Sequence, residues 1–371
     1  MPETLSNFSG AGGGFASQIT IPLTPVSGYF RRFRVTVIAT GGTGAVTALY
    51  NKDAPWNVVQ QVILKDASGN VNIINLPGWE ALHLLPIISG GFGLERYNDP
   101  ASWPYYKVSA AFSTNAGGFA FQTFLPLEFG GEAVGCIGGD NASVLPTLQW
   151  FTNSTGVVYA TPPTTLPNVN IQVDADFWWN PDQPDLLPDG LGSSRQYNLL
   201  TGSPSVVSGF SGLVTLPKFG GGFIDSITFI CRDSLNLRTD TAWPLRIQLF
   251  IDNVAYINET IDQCIFDMYN VLQLQGGTGV QANDSYYNGA PTVDVVGSRP
   301  VGVLHFSFRN GVSQIDTGLL QSGLDYISTT PGTNVQLSGT GFQNIFADAN
   351  TPYTFTCIIG LVVPAGTLVT T

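Results

Sequence analysis

Residues 15–22 are FASQITIP, and residues 210–217 are FSGLVTLP, so a chain of 371 residues carries nearly the same phrase in both halves. Further segments recur in the same order. The pairs are GYF (28–30) with GFI (222–224), RFRVTVI (32–38) with DSITFI (225–230), VVQQVILKD (58–66) with RIQLFID (246–252), FAFQTFLPLEF (119–129) with GVLHFSF (302–308), and NVNIQVDADFWWNP (168–181) with YTFTCIIGLVVPA (353–365). This repetition indicates one fold that is present twice in the chain.

The strongest segments alternate between apolar and polar residues. Within residues 29–38, Phe33, Val35 and Val37 occupy one face of a predicted strand and Arg32 and Arg34 the other. Residues 171–177 alternate in the same way, with both aspartates on the polar face. Clusters of Gly, Pro and Asn separate these segments at short intervals, which is typical of antiparallel sandwiches.

Helical periodicity occurs once in each half. WEALHLL (79–85) and IFDMYNVL (265–272) each place apolar residues three and four apart, and each follows a strand and a turn. We therefore predict an all-β fold of two tandem eight-stranded antiparallel jelly-roll barrels, a double jelly roll in which each barrel has a short helix.

The domain limits follow from composition. A Gly- and Ser-rich flexible arm over 1–16 precedes a first jelly roll over 17–185, and a Pro-, Asp- and Gly-rich linker over 186–205 precedes a second jelly roll over 206–371. A chain of this length exceeds the usual size of a single core, so two domains are expected.

Composition excludes several functions. The chain has a formal net charge of −12, which disfavours direct sequence-specific binding of nucleic acid. It is 43% hydrophobic but only 11% charged, which favours burial of surface against partners. The four cysteines show no metal-binding spacing, and Cys231 and Cys357 lie in apolar runs that predict core positions.

Catalytic signatures are weak. The two histidines, His83 and His305, are too few for a three-histidine metal site, and packing is the preferred interpretation of both. Asp174 and Asp176 could form a carboxylate pair, but a solvated strand face is the simpler interpretation. Asp182, Asp185 and Asp189 could bind calcium, although a solvated linker is favoured over a metal site. We predict no enzymatic activity and no cofactor.

Three segments carry a family resemblance. GYFRRFRVTV (28–37), NVVQQVILKD (57–66) followed by Gly78-Trp79, and FWWNPDQPDLLPDG (177–190) resemble the major capsid proteins of tailless, membrane-containing icosahedral bacteriophages of the tectivirus type. The C-terminal strand and the tail ending in Thr370-Thr371 are also similar. The resemblance covers most of the chain as a pattern and order of segments, with short runs of identity.

The resemblance implies a double jelly roll whose homotrimers are pseudo-hexameric and tile the facets of an icosahedral capsid over an internal membrane. It also implies vertex (penton) and minor capsid proteins as partners, and a place in the virion after assembly in the host cytoplasm. A hexagonal lattice suits such trimers, because three chains with two similar domains present six similar domains.

Contacts between subunits are expected in the aromatic, weakly charged loops 90–118 and 276–300, at Trp103, Tyr105, Tyr106, Tyr286 and Tyr287. The cluster of Arg31, Arg32 and Arg34 could pair with carboxylates of a neighbouring subunit, or equally with carboxylates of its own. The main alternative function is a secreted tandem β-sandwich that binds or cleaves glycans through Trp178 and Trp179. A spike or vertex protein of a similar virus is a third.

Overall fold

The computed structural model of the chain describes residues 3–9, 14–21, 23–44, 48–51, 53–89, 117–128, 135–141, 143, 145–180, 194–199, 205–206, 213–215, 222–240, 243–272, 299–308, 327–329, 333–338 and 353–363. The described residues fall into two compact units. Unit 1 lies within Met1–Arg195, and unit 2 lies within Gln196–Gln281 and Gly297–Val363. The division between Arg195 and Gln196 falls inside the predicted linker.

Most regular structure consists of strands. The strands of unit 1 are β1 Glu3–Ser9, β2 Gln18–Ile21, β3 Gly28–Thr40, β4 Leu49–Tyr50, β5 Val59–Lys65, β6 Asn72–Pro77, β7 Phe119–Pro126, β8 Ile137–Gly138, β9 Thr147–Thr152, β10 Tyr159–Thr161 and β11 Asn168–Trp179. The next strand, β12 Ser194–Leu199, includes the boundary between the units. In unit 2 they are β13 Ser205–Val206, β14 Leu213–Thr215, β15 Gly222–Arg232, β16 Arg246–Ile251, β17 Val254–Thr260, β18 Val303–Ser307, β19 Ile327–Thr329, β20 Val335–Ser338 and β21 Tyr353–Val363.

Helices are short and few among the described residues. They are a 3₁₀ turn Trp56–Val58, a π-helical turn Glu80–Leu84 that continues into α1 Leu85–Ile88, α2 Thr155–Val158 and α3 Ile261–Leu272. The helix predicted at 79–85 is confirmed and extends to Ile88. The helix predicted at 265–272 is also confirmed, but it begins earlier, at Ile261.

Unit 1 is a sandwich of antiparallel strands. One set runs in the order β1-β11-β3-β7, with β8 also beside β3, and a second set runs β6-β5-β9-β2. The short strands β4 and β10 form a separate pair. Apart from β5 and β6, which are consecutive, neighbours in space are distant in sequence, as in a jelly roll.

Unit 2 repeats this connectivity. One set runs β13-β21-β15-β18, with β19 also beside β15, and the other runs β14-β20-β16-β17. The equivalent strands are β1 and β13, β2 and β14, β3 and β15, β5 and β16, β6 and β17, β7 and β18, β9 and β20, and β11 and β21. Every segment pair matched in sequence occupies equivalent strands, so the predicted duplication is confirmed.

Three predicted features need correction. Residues 3–9 do not belong to a free arm, because they form β1 and pair with β11. The predicted linker contains the strand β12, and β13 begins at its last residue, Ser205. The count of eight strands in each barrel is not confirmed, because β8 and β19 are additional neighbours of β3 and β15 and because β4 and β10 form a separate pair. The composition of this region did not reveal β1, because the glycines that follow it are typical of a flexible arm.

The inner faces of the strands form the cores. Phe33, Val35 and Val37 are fully buried, as the alternation predicts. In unit 2, Cys231 and Cys357 lie in a buried cluster that also contains Trp243 and Phe355, whose rings are 5.4 Å apart. The core positions predicted for these two cysteines are confirmed.

Candidate assembly surfaces

Both histidines are packing residues, as predicted. His83 lies against Trp56 and Trp79, with ring centroids 5.1 and 5.7 Å away. His305 is buried in β18, and its Nδ1 is 2.8 Å from Thr228 Oγ1. The described residues contain no cluster of three or more metal-ligating side chains and no helix long and apolar enough to span a membrane.

The aspartates of β11 share a face, as predicted, but they are not solvated. Asp174 is 7% and Asp176 8% exposed. Asp176 forms ion pairs with Arg32 and Arg34, and Asp174 accepts hydrogen bonds of 3.2 and 3.3 Å from Gln172 Nε2. Arginine side chains occupy the place where the sequence predicts water. Asp182, Asp185 and Asp189 lie outside the described residues.

A β-bulge shapes the start of β3. Phe177 pairs with Phe30 and Asp176 pairs with Arg32, so Arg31 has no partner of its own on β11. The Arg31 carbonyl accepts hydrogen bonds from both Leu127 and Glu128, at 3.1 and 2.9 Å. A bulge reverses which residues face outward, and here it leaves Arg31 and Arg32 half-buried while Phe30 and Phe33 are both fully buried.

The bulge supports a buried ionic cluster of Arg31, Glu128 and Trp178. Arg31 Nε and Nη2 donate to the two oxygens of Glu128 at 2.7 and 2.8 Å, and Glu128 is completely buried. Trp178 Nε1 donates to the same carboxylate at 2.7 Å, and the Arg31 guanidinium lies 4.3 Å from the Trp178 ring centroid. Such bidentate, fully bonded pairs hold a buried charge without a large penalty.

Arg32 and Arg34 form a second group on the same sheet. The guanidinium carbons of Arg32 and Arg34 lie 4.2 and 5.7 Å from the ring centroid of Phe124, which is only 4% exposed. Arg32 is held closely by Asp176, whereas Arg34 reaches Asp176 only at 3.9 Å. The three arginines therefore pair with carboxylates of their own chain, the second of the two alternatives left open by the sequence. A further contact of these residues with another subunit stays a prediction.

The two adjacent tryptophans do not form one platform. Trp178 and Trp179 are 41% and 62% exposed, but successive strand residues point to opposite faces. Trp179 packs against Phe177 at 5.0 Å, while Arg31 covers one face of Trp178. This arrangement gives no support to the glycan-binding alternative.

Unit 2 has the same bulge with different chemistry. Asp225 is skipped in the pairing of β15 with β21, and its carbonyl accepts a hydrogen bond of 2.9 Å from Phe308. Asp225 is buried and its Oδ1 accepts from Ser226 Oγ, while a Cβ on Gly360 would lie 2.1 Å from that oxygen. Gly360 stands where unit 1 has Asp176, so its missing side chain leaves room for the aspartate.

Each bulge follows a glycine that the backbone requires. Gly28 and Gly222 have φ of +147° and +134°, and a Cβ on Gly28 would lie 1.7 Å from the Trp178 carbonyl oxygen. The sequences GYF and GFI therefore mark the same start of a strand, at β3 and at β15. Glycine is favoured at the first position because a side chain there would strain the backbone.

Unit 2 has exposed apolar side chains on β17, on α3 and at the residue before β16. Large hydrophobic side chains are exposed at Leu245 (81%), Val254 (59%), Tyr256 (51%) and Phe266 (65%). The Leu245 carbonyl accepts a hydrogen bond from Ile261 N at the start of α3, which joins the strand and helix ends. We call these four residues the β17–α3 surface. Among the described strands β17 is the outermost of its set, so this surface also includes a sheet edge.

The start of α3 was missed although the sequence shows it. Thr260 and Gln263 form a capping box: Gln263 N donates to Thr260 Oγ1 at 3.3 Å, and Thr260 N donates to Gln263 Oε1 at 2.9 Å. The Thr-x-x-Gln spacing would have located this start. No local pattern marks the partnership of Arg31 with Glu128, which are 97 residues apart.

The aromatic residues predicted at subunit contacts lie outside the described residues. These are Trp103, Tyr105, Tyr106, Tyr286 and Tyr287. The loops predicted with them are described only at 117–118 and 299–300.

No protein-family model matches the chain, and no curated protein matches it. Several solved structures do match the chain. The crystal structure of the STIV major capsid protein matches with a TM-score of 0.56 at 16% identity, over 98% of this chain and 97% of that chain. The chain is a double jelly roll.

Two further structures share this double jelly roll. The atomic structure of Sulfolobus Turreted Icosahedral Virus matches with a TM-score of 0.58 at 15% identity, over 98% of this chain and 91% of that chain. The major capsid protein P2 from bacteriophage PM2 matches with a TM-score of 0.52 at 8% identity, over 98% of both chains. The fold expected from the resemblance to phage capsid proteins is therefore confirmed.

Proposed function

We propose that this chain is a viral major capsid protein whose function is self-association. The observation that carries the proposal is the extent of the structural likeness: both units, in one chain and in the same order, match the capsid proteins of STIV and PM2 over almost their whole length. A chance likeness of one sandwich would match only half of the chain.

The duplicated connectivity supports a particular assembly. Three copies bring together six sandwiches of like topology, which fill a hexagonal position in a closed shell although the symmetry is only threefold. We propose such pseudo-hexameric trimers as the building block of icosahedral facets. Vertex and minor capsid proteins would complete the shell at positions that a hexagonal unit cannot fill.

We propose that the chain has no catalytic role. The histidines pack in the cores, Asp176 is held by arginines, and burial raises the pKa of Cys264 to about 12, so this thiol stays protonated at neutral pH. These side chains stabilise the sandwiches, which suits a structural protein.

We further propose an internal membrane beneath the shell and assembly in the host cytoplasm. The net charge of −12 supports a layer between protein and genome, because a strongly acidic protein repels nucleic acid. Cryo-electron microscopy of assembled particles tests this, since two leaflets of density are expected inside the protein shell. Genome density in direct contact with the protein would contradict it.

The native mass of the purified protein tests the main proposal. Light scattering on a sizing column is expected to give three times 39.6 kDa, or about 119 kDa, and electron microscopy of concentrated samples is expected to show hexagonal particles or sheets. A monomer of 39.6 kDa that forms no larger assembly at any concentration tested would contradict the capsid function.

A further inference from the structure

The β17–α3 surface combines apolar exposure with negative charge. Residues 245–272, all described, contain the acids Asp252, Glu259, Asp262 and Asp267 and one cation, Arg246, which bonds to Asn258 on β17, so the segment has a net charge of −3. Burial and the neighbouring Asp267 carboxyl, which also shares a hydrogen bond with Glu259, raise the pKa of the Glu259 carboxyl. A partner that brings a cation beside this carboxyl pair would relieve its repulsion.

The negative charge of this surface limits the kinds of molecule that can bind it. Nucleic acid and anionic lipid are repelled by it. A partner must instead offer a cation next to an apolar area, since large exposed aromatic and aliphatic side chains are typical of protein interfaces.

Unit 1 of the same chain offers such a cation at Arg34. Its side chain is 30% exposed, and its ion pair with Asp176 is long, at 3.9 Å, because Arg32 already holds that carboxylate closely. Four residues farther along the same strand, and on the same face, Ile38 is 40% exposed. Arg34 therefore has hydrogen-bond donors to offer in a mixed polar and apolar setting.

We propose that the β17–α3 surface of one copy binds the Arg34 face of β3 in a second copy. The inference rests on the proposed function and deepens it, because it assigns the two surfaces that join copies. The contact is heterologous, since two different surfaces meet, and a heterologous contact closes into a ring when its rotation fits a threefold axis. It also gives Arg34, one of the three arginines of the predicted cluster, a role between subunits.

Two variants and their mixture test the proposal by native mass. Phe266→Asp damages the β17–α3 surface, and Arg34→Gln removes the opposing charge without adding repulsion next to Asp176. Each variant alone is expected to lose the trimer and to run at 39.6 kDa. Each retains one intact surface, so the equimolar mixture is expected to form a dimer of two times 39.6 kDa, or about 79 kDa.

Matched controls separate assembly from folding. Leu166→Asp places the same charge at another exposed apolar side chain, and Lys65→Gln removes a charge elsewhere on unit 1. Both are expected to remain trimeric. Circular dichroism spectra of all variants must match the wild type, and each variant must melt in a single cooperative transition; if Phe266→Asp does not fold, Phe266→Gln replaces it.

The outcomes distinguish the inference from the function on which it rests. A trimeric wild type whose Phe266→Asp variant stays trimeric overturns the inference and leaves the capsid function intact. Monomeric variants whose mixture stays monomeric show that these two surfaces do not meet, and also overturn it. A monomeric wild type overturns the proposed function itself.

Discussion

The helix that follows β6 in unit 1 and the helix that follows β17 in unit 2 have opposite surroundings. In unit 1 every residue from Glu80 to Ile88 is buried. In unit 2 only Cys264, Met268 and Leu272 of α3 are buried, and Phe266 is 65% exposed. The same position in one topology therefore serves as core in one unit and as surface in the other.

The two bulges show the opposite relation: their backbone geometry is similar in the two units, but their side chains differ. Both follow a glycine and both carbonyls accept from the end of the same equivalent strand. Yet Arg31 holds a buried carboxylate, whereas Asp225 lies over Gly360. The two units share the bulge in the backbone but differ in its side chains, which indicates that the bulge does not depend on one particular side-chain cluster.

The largest expected effect comes from breaking the unit 1 bulge cluster. Glu128→Ala leaves the buried side of Arg31 and the Trp178 indole without their carboxylate, and we expect a loss of about 3–5 kcal/mol in the free energy of unfolding. Hydrogen exchange of β3 and β7 should accelerate while β15 and β18 stay protected. Glu128→Gln, which keeps the shape and part of the bonding, is the control. A loss below about 1 kcal/mol for Glu128→Ala would mean that the bulge holds without the cluster.

The second effect compares the helices directly. Leu85→Ala empties space in the fully buried helix and is expected to cost about 2–5 kcal/mol. Phe266→Ala on α3 is expected to change stability by no more than about 0.5 kcal/mol, because that side chain is exposed. Calorimetry of both variants as dilute monomers measures the difference. Equal costs would show that Phe266 is packed within its own chain.

A smaller effect is expected at the cap of α3. Thr260→Ala removes the capping hydroxyl and should cost about 0.5–2 kcal/mol, with faster hydrogen exchange over the first turn of α3. Thr260→Ser retains the hydroxyl and should behave like the wild type. The helix of unit 1 has no side-chain cap at Trp79, so its stability comes from burial. Unchanged exchange in Thr260→Ala would show that α3, too, is fixed mainly by packing.

The smallest effects concern two carboxyls with opposite pKa shifts. Partial burial opposes ionisation of Asp66 in the turn after β5, but hydrogen bonds from Ser68 and from backbone N–H groups outweigh it and lower the pKa. Its contribution to stability is present above the unfolded pKa and is lost as pH falls through the folded value. Asp66→Asn should therefore lower the melting temperature at neutral pH and have no effect in strong acid.

Glu259 has the opposite sign. Its folded pKa is raised, first by burial and then by Asp267, so the folded state binds a proton more readily than the unfolded chain. Ionisation destabilises the fold as pH rises from the unfolded pKa through the folded one. Glu259→Gln should raise the melting temperature at neutral pH and lose this benefit in acid. A lower melting temperature at neutral pH would show that the ionised carboxyl is stabilised by a cation.

Local patterns predicted those features that depend on neighbouring residues. Alternation placed Phe33, Val35 and Val37 inside, and apolar context placed Cys231 and Cys357 in the core. The recurring segments gave the duplication and hence the double jelly roll. The arm was predicted wrongly because β1 gains its structure from pairing with β11, more than 150 residues away in the chain.

The sequence by itself determined the all-β class, the duplicated order of strands and the positions of both helices, because periodicity and turns act over a few residues. Only the tertiary structure decided that Arg31 faces Glu128, that Asp176 is buried beneath arginines, and that one helix is core while the other is surface. These properties depend on strands that meet across the sheet. Their energies come from desolvation and from partners distant in sequence, which no local pattern contains.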